Sequence, residues 1–222
     1  MLTKFAKSTW AVAIMALMAA TASHAEGPAP KTGTPASMTA ISPVFGQLVR
    51  FSMPSNFVAA HEATKDNFYI RESVPKGETT AQWTQMITVT GHKGLAGNPK
   101  FTPQGFAGSM AGGFKGACPE TFVTKNFGET KLGDQDAFVA VASCGKVNAS
   151  ADGHSETALI VVVRGITDGY TIQWAERTVT LPPGAAIDDA KWQERLQALM
   201  PIRLCPIVAG EAAPYPSCLQ QK

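Results

Sequence analysis

Two short runs, AFVAV at Ala137–Val141 and ALIVVV at Ala158–Val163, limit the possible folds most strongly. Successive side chains of a strand point to opposite faces, so a strand that is apolar at every position must be covered on both. The chain therefore needs a sheet with one layer above it and another below. Weaker alternating segments surround these runs. Leu48–Met53 sets Val49, Phe51 and Met53 on one side, and Phe68–Val74 alternates through Phe68, Ile70 and Val74. Trp83–Thr90 reads as a strand with Trp83, Ile87 and Val89 on one face. Thr121–Phe127 and Tyr170–Arg177 complete the set. Pro75-Lys76-Gly77, Gly133-Asp134-Gln135-Asp136 and Asp168-Gly169 supply turns, the last a tight-hairpin signal.

Two helices are expected. Thr102 suits an N-cap and Pro103 a first helical position. Phe106, Met110, Phe114 and Ala117/Cys118 then recur at helical spacing until Pro119. Glycines 105, 108, 112, 113 and 116 fall inside this segment. Each costs roughly 0.8–1 kcal/mol relative to alanine, so packing must hold the helix. Close approach to a sheet is the compensation expected. A second helix, Asp189–Met200, carries a buried stripe of Trp192, Leu196 and Leu199, and Asp188 or Asp189 caps it.

The first 25 residues read as a secretory signal peptide. Lys4 and Lys7 precede the 11-residue apolar run Trp10–Ala20, and Ser23-His24-Ala25 has small residues at the −3 and −1 cleavage positions. Crossing a bilayer takes about 20 apolar residues, more than this run offers. The first cysteine is Cys118, so a lipid-modified cysteine at the new N-terminus is not expected. Residues 26–43, rich in Pro, Gly, Ala, Ser and Thr, read as a flexible linker. One domain follows over 44–207, and 208–222 forms a tail pinned by its cysteines. Apolar residues make up 45% and charged residues 16%, which excludes disorder for most of the chain. With Lys4 and Lys7 removed, 17 basic residues balance 17 acidic ones. Such neutrality gives no electrostatic footprint for nucleic acid or an anionic membrane.

Export makes the four cysteines, Cys118, Cys144, Cys205 and Cys218, candidates for two disulfides. No C-x-x-C spacing points to zinc or to a redox dithiol. On the chain-entropy model the local loops are worth roughly 3.5 and 3 kcal/mol, and longer ones only about 1 kcal/mol more. Energy therefore does not choose the pairing. Proximity does: Cys118 ends a helix and Cys144 the strand returning to it, while Cys205 and Cys218 share the proline-rich tail. The expected pairs are Cys118–Cys144 and Cys205–Cys218.

No catalytic constellation emerges. Gly108-Ser109-Met110-Ala111-Gly112 lies mid-helix, not at the strand-to-helix turn of a nucleophile elbow. Gly91–Gly97 is glycine-rich but lacks the dinucleotide spacing. His61, His92 and His154 are far apart in loops or strand ends and read as solvated side chains; at His61-Glu62 the second zinc histidine is missing and Lys65 stands there. Glu176 and Arg177 end a strand beside Trp174; Glu176 could be a shifted acid, but an alternating edge strand with a salt-bridged end explains it. Asp134 and Asp136 are turn residues. Asn148-Ala149-Ser150 matches a glycosylation sequon. No catalytic, cofactor or metal residue is assigned.

Three local features resemble the PsbP-like/DcrB-like family: the opening Phe51-Ser52-Met53-Pro54-Ser55-Asn56-Phe57, the mid-chain Leu132-Gly133-Asp134-Gln135-Asp136-Ala137 hairpin, and the final strand pair leading to the helix with Trp192. The resemblance spans about residues 45–204. It implies an α+β fold, an α/β/α sandwich around a mainly antiparallel sheet of about six or seven strands with two main helices. It also implies non-catalytic binding or assembly roles; no metal-binding residue of the family's extrinsic photosystem subunit of plants can be matched to a position here. The resulting expectation is an exported, periplasmic or secreted binding protein, an accessory or assembly factor of an envelope complex. Its partner is an unidentified protein or small molecule. The alternatives are a small-ligand or lipid carrier with an apolar pocket, and an enzyme of unrecognised type.

Overall fold

The computed structural model describes residues 36–147 and 153–220. The leader at 1–25, the first part of the expected linker and the Asn148–Ser150 sequon lie outside the described residues. Among the described residues ten strands and three α-helices follow in order, with a 3-10 turn at Leu95–Gly97: β1 (Ser37–Val44), β2 (Gln47–Pro54), β3 (Phe57–Lys65), β4 (Phe68–Pro75), β5 (Gln85–His92), α1 (Pro103–Ala117), β6 (Phe122–Leu132), β7 (Gln135–Cys144), β8 (His154–Arg164), β9 (Gly169–Val179), α2 (Asp189–Leu199), β10 (Arg203–Pro206) and α3 (Pro216–Leu219). Seven strands form one antiparallel sheet in the order β3-β4-β5-β9-β8-β7-β6. A second, antiparallel sheet has the order β1-β2-β10. The fold is the expected α+β type.

The doubly apolar strands β7 and β8 are covered on both faces. Val139, Val141, Leu159 and Val161 point into one core, which they share with Val49 and Phe51 of the small sheet and Trp192 and Leu199 of α2. Phe138, Ala140, Ile160 and Val162 point into the other, closed by Ala107 and Ala111 of α1. Gly91 permits the small sheet to close tightly over β5: a Cβ there would come 2.4 Å from Val44 Cγ1.

Three segments differ from the sequence reading. The expected linker holds all but the last residue of β1, an eight-residue strand paired along its length with β2. Strand β3 was not expected at all, and only Phe57 of its nine residues is buried. Both are edge strands, where one side lacks a neighbour and the apolar alternation that marks a strand is not needed. Cys205, expected with the proline-rich tail, lies instead in β10, paired with Leu48 of β2.

The caps of both main helices are built as their sequences require. Thr102 accepts a hydrogen bond from the Gly105 amide at 3.0 Å, and Asp188 one from the Lys191 amide at 3.1 Å. The glycines of α1 have another place than expected. A Cβ at Gly108, Gly112, Gly113 or Gly116 would meet nothing within 4 Å. The residues set deepest against the sheet are Ala107 and Ala111. Phe106, Met110 and Phe114 are only partly buried, along the flank of the helix.

Disulfides join Cys118 to Cys144 and Cys205 to Cys218, with Cα–Cα separations of 5.7 and 5.6 Å. The first fastens the end of α1 to the end of β7. The second fastens the tail to β10, where the Arg50 guanidinium also donates to the Cys218 carbonyl at 2.8 Å. Such bridges form and persist in oxidising compartments. Among the described residues no helix is long and apolar enough to cross a membrane.

Candidate functional site

Helix α1 packs over β6, β7 and β8 and leaves the same face of β4, β5 and β9 without a helix. Strand register builds the floor of that open half. His61 stands opposite Glu72, Glu72 opposite Thr88, and Thr88 opposite Gln173, so one row of polar side chains crosses four adjacent strands. One step along, Thr90 and Thr171 are buried and joined by a 2.7 Å hydrogen bond.

The groove above this floor has two walls. On one side runs the flank of α1. Phe106 meets the His92 ring edge-on at 5.0 Å, and Phe68 meets the other side of His92 at 5.1 Å. Burial among these rings holds the His92 imidazole below its ordinary pKa. On the other side the 76–84 loop brings in Thr80 and Trp83. The Arg177 guanidinium lies 3.8 Å from the Trp83 ring centre and donates to Glu156 at 3.2 Å. Stacking and ion pairing together fix the Arg177 fork.

Trp83 does not share a face with Ile87, contrary to the sequence reading. It precedes β5, where the chain is still bent, so the alternation does not extend back to it. Its ring joins the core beneath α1, whereas Ile87 and Val89 join the opposite core.

Two adjoining cavities make up the groove. One, of about 380 Å3, lies over Glu72, Thr88, Thr90 and Gln173. The other, of about 370 Å3, is an apolar recess beside α1 lined by Met110, Gly113, Phe114, Ala117 and Val147. Phe114, Glu156 and Gln173 border both. Beyond Trp83 and Arg177 a wider hollow of about 620 Å3 opens, bordered by His154 and Glu78. Among the described residues no three His, Cys, Asp or Glu side chains come together as a metal site.

The other sequence candidates have structural roles. Glu176 is buried and ion-paired to two residues of α2, Lys191 at 2.5 Å and Arg195 at 2.7 Å. Its strand, β9, lies between β5 and β8 and is no edge strand. Arg177 pairs with Glu156 of β8. Asp134 falls in the β6–β7 turn, and Asp136 beside it pairs with Lys131. His61, His92 and His154 remain apart on β3, β5 and β8; His92 is half-buried between the Phe68 and Phe106 rings.

Sequence reading missed Asp168, which is buried at the β8–β9 turn. Its carboxylate accepts from the Gly94 amide at 2.7 Å, the Gly46 amide at 3.1 Å and the Tyr170 hydroxyl at 3.2 Å. Burial opposes its ionisation, but these donors and the Thr167 side chain outweigh it and hold the carboxyl below the usual range. Burial, then the Asp168 charge, pushes the Tyr170 hydroxyl up. Asp168 thus clamps the β1–β2 turn and the loop leading to α1 onto the main sheet. Its hairpin signal was legible; its partners, distant in sequence, were not.

The fold and the groove describe an α+β protein with part of one sheet face left without a helix, where a polar row lies between the flank of α1 and the apolar patch of Val74, Met86 and Ala175 under Trp83. No family model matches the chain, and no curated protein matches its sequence. Solved structures match in fold at low TM-score. A Bacteroides thetaiotaomicron protein aligns at 12% identity and TM-score 0.37 over 73% of this chain; the match spans 46% of that protein's length. The Saccharomyces cerevisiae Ran-binding protein Mog1p aligns at 8% identity and TM-score 0.41, covering 65% of this chain and 79% of Mog1p. A Mog1 variant aligns at 9% and 0.40, covering 74% and 86%.

Proposed function

We propose that this is an exported, non-enzymatic protein that acts by binding, as an accessory or assembly factor of an envelope complex in the periplasm or outside the cell, and that its open sheet half is the binding face. The carrying observation is the polar row Glu72, Thr88 and Gln173 on a face whose other half is apolar and covered. The paired cysteines support export, and the residue pattern shared with PsbP-like proteins supports a binding role.

The test is photo-crosslinking. A photoreactive residue replaces Thr88 in the groove or Lys115 on the exposed side of α1, and the exported protein is irradiated in an envelope extract. Specific adducts from position 88 and none from 115 support the reading. Equal adducts from both positions, or none from 88, contradict it.

The apolar recess beside α1 favours a second reading, a carrier of small ligands. A volume of about 370 Å3 falls within the range of small-molecule sites.

A further inference from the structure

We infer that the groove is a site for a small organic cation, a protonated amine on an apolar stem, with the ammonium at Glu72 and the stem in the recess beside α1. This rests on the reading of the open half as a binding face and names the ligand class.

Charge and shape support this class. The polar cavity holds two carboxylates, Glu72 and Glu156, and one guanidinium, Arg177. Arg177 is committed to Glu156 and to the Trp83 ring. Glu72 has no ion-pair partner among the described residues, so the cavity keeps one uncompensated negative charge. An anion would face that charge with the guanidinium already engaged. An ammonium has three donors, and the Glu72 carboxylate, the Thr88 hydroxyl and the Gln173 amide oxygen are acceptors in one row. The adjoining recess is lined mostly by apolar atoms of Met110, Phe114, Ala117 and Val147, which suits an alkyl or aryl stem and not a polyamine. Since Phe114, Glu156 and Gln173 border both cavities, a single molecule can occupy the two.

Gly113 gives the inference a steric handle. It lines the recess, yet a Cβ there meets nothing within 4 Å. A larger side chain would fill the recess without disturbing the core. Gly108 is equally open but does not border the recess.

The experiment is calorimetric titration of the exported protein with octylammonium, 1-octanol and octanoate, which share one stem. Octylammonium is expected to bind roughly tenfold more tightly than 1-octanol, the scale of one charge-assisted hydrogen bond, and octanoate more weakly still. Glu72→Gln should remove the preference over 1-octanol. Gly113→Leu should abolish binding of all three, and Gly108→Leu should leave them unchanged, with circular dichroism reporting that each variant is folded. Equal affinity for octylammonium and 1-octanol, an unchanged preference in Glu72→Gln, or no octylammonium binding would each overturn the inference. Specific crosslinking from position 88 alongside any of these results would leave the binding face standing and remove only the amine.

Discussion

Strands β7 and β8 present Phe138, Ala140, Ile160 and Val162 to α1, whereas β4, β5 and β9 present Glu72, Thr88 and Gln173 on the same face. The backbone is one continuous ladder, so hydrogen bonding within the sheet does not distinguish the halves. The covered half gains stability from apolar burial, about 25 cal/mol per Å2. Along the Glu72–Thr88–Gln173 row the open half gives up that gain and keeps half-buried hydrogen-bonding groups, while Val74, Met86 and Ala175 beside it remain buried under Trp83. Opposite this face no such division exists, since the core formed with the small sheet and α2 extends from Ile87 of β5 across to Val139 of β7. The asymmetry is therefore local to the half beside α1.

The largest expected effect separates the halves by stability. Phe138→Ala removes a buried ring between the sheet and α1 and should cost about 3–5 kcal/mol. Thr88→Ala should stay within about 0.5 kcal/mol, as for surface positions without a buried partner. Denaturant melts of the two variants check this. A Thr88→Ala loss as large as that of Phe138→Ala would make the open half part of the core.

A smaller effect concerns the tether of the covered half. Asp168 holds the Gly94 amide in the loop before α1. Asp168→Asn should cost about 1–3 kcal/mol near neutral pH, the range for hydrogen bonds to a charged group. The sign with pH follows from linkage. The folded carboxyl titrates below its ordinary 3.8, so the unfolded chain takes up the proton first as pH falls. The stabilisation is fully present above that value and is lost through the folded pKa. The gap between wild type and Asp168→Asn, followed by melts across acid pH, should close below about pH 4. A gap constant with pH would contradict the role of the charge.

The sequence reading is most reliable where packing is local or symmetrical. Ala137–Val141 and Ala158–Val163 announced two covered faces, and Thr102 and Asp188 announced helix starts, because each signal lies within a few residues. The β1 and β3 edges were hidden because their residues face solvent or a single neighbour. The groove was hidden for another reason. His61, Glu72, Thr88 and Gln173 lie on four separate strands, and only register brings them side by side. None stands in a motif. Trp83 falls on the face opposite Ile87 because β5 begins only at Gln85, so the strand's alternation does not reach it.

The glycines of α1 sharpen the comparison at a smaller scale. Since Cβ atoms at Gly108 and Gly112 would meet nothing within 4 Å, alanine there should stabilise by roughly 0.5–1 kcal/mol each. Thermal melts of the single and double variants measure it, with additive gains expected. Destabilisation would mean that these glycines serve the packing of α1 after all.

The most direct test of the open half as a binding face is one substitution read in two ways. Gln173→Arg places a long cation in the polar row, next to Thr88 and against the flank of α1. A denaturant melt of this variant should stay within about 0.5 kcal/mol of wild type, while specific crosslinking from position 88 in an envelope extract should be lost. Crosslinking that persists with unchanged stability, or a melt that falls by several kcal/mol, would contradict the assignment of this half of the sheet to binding.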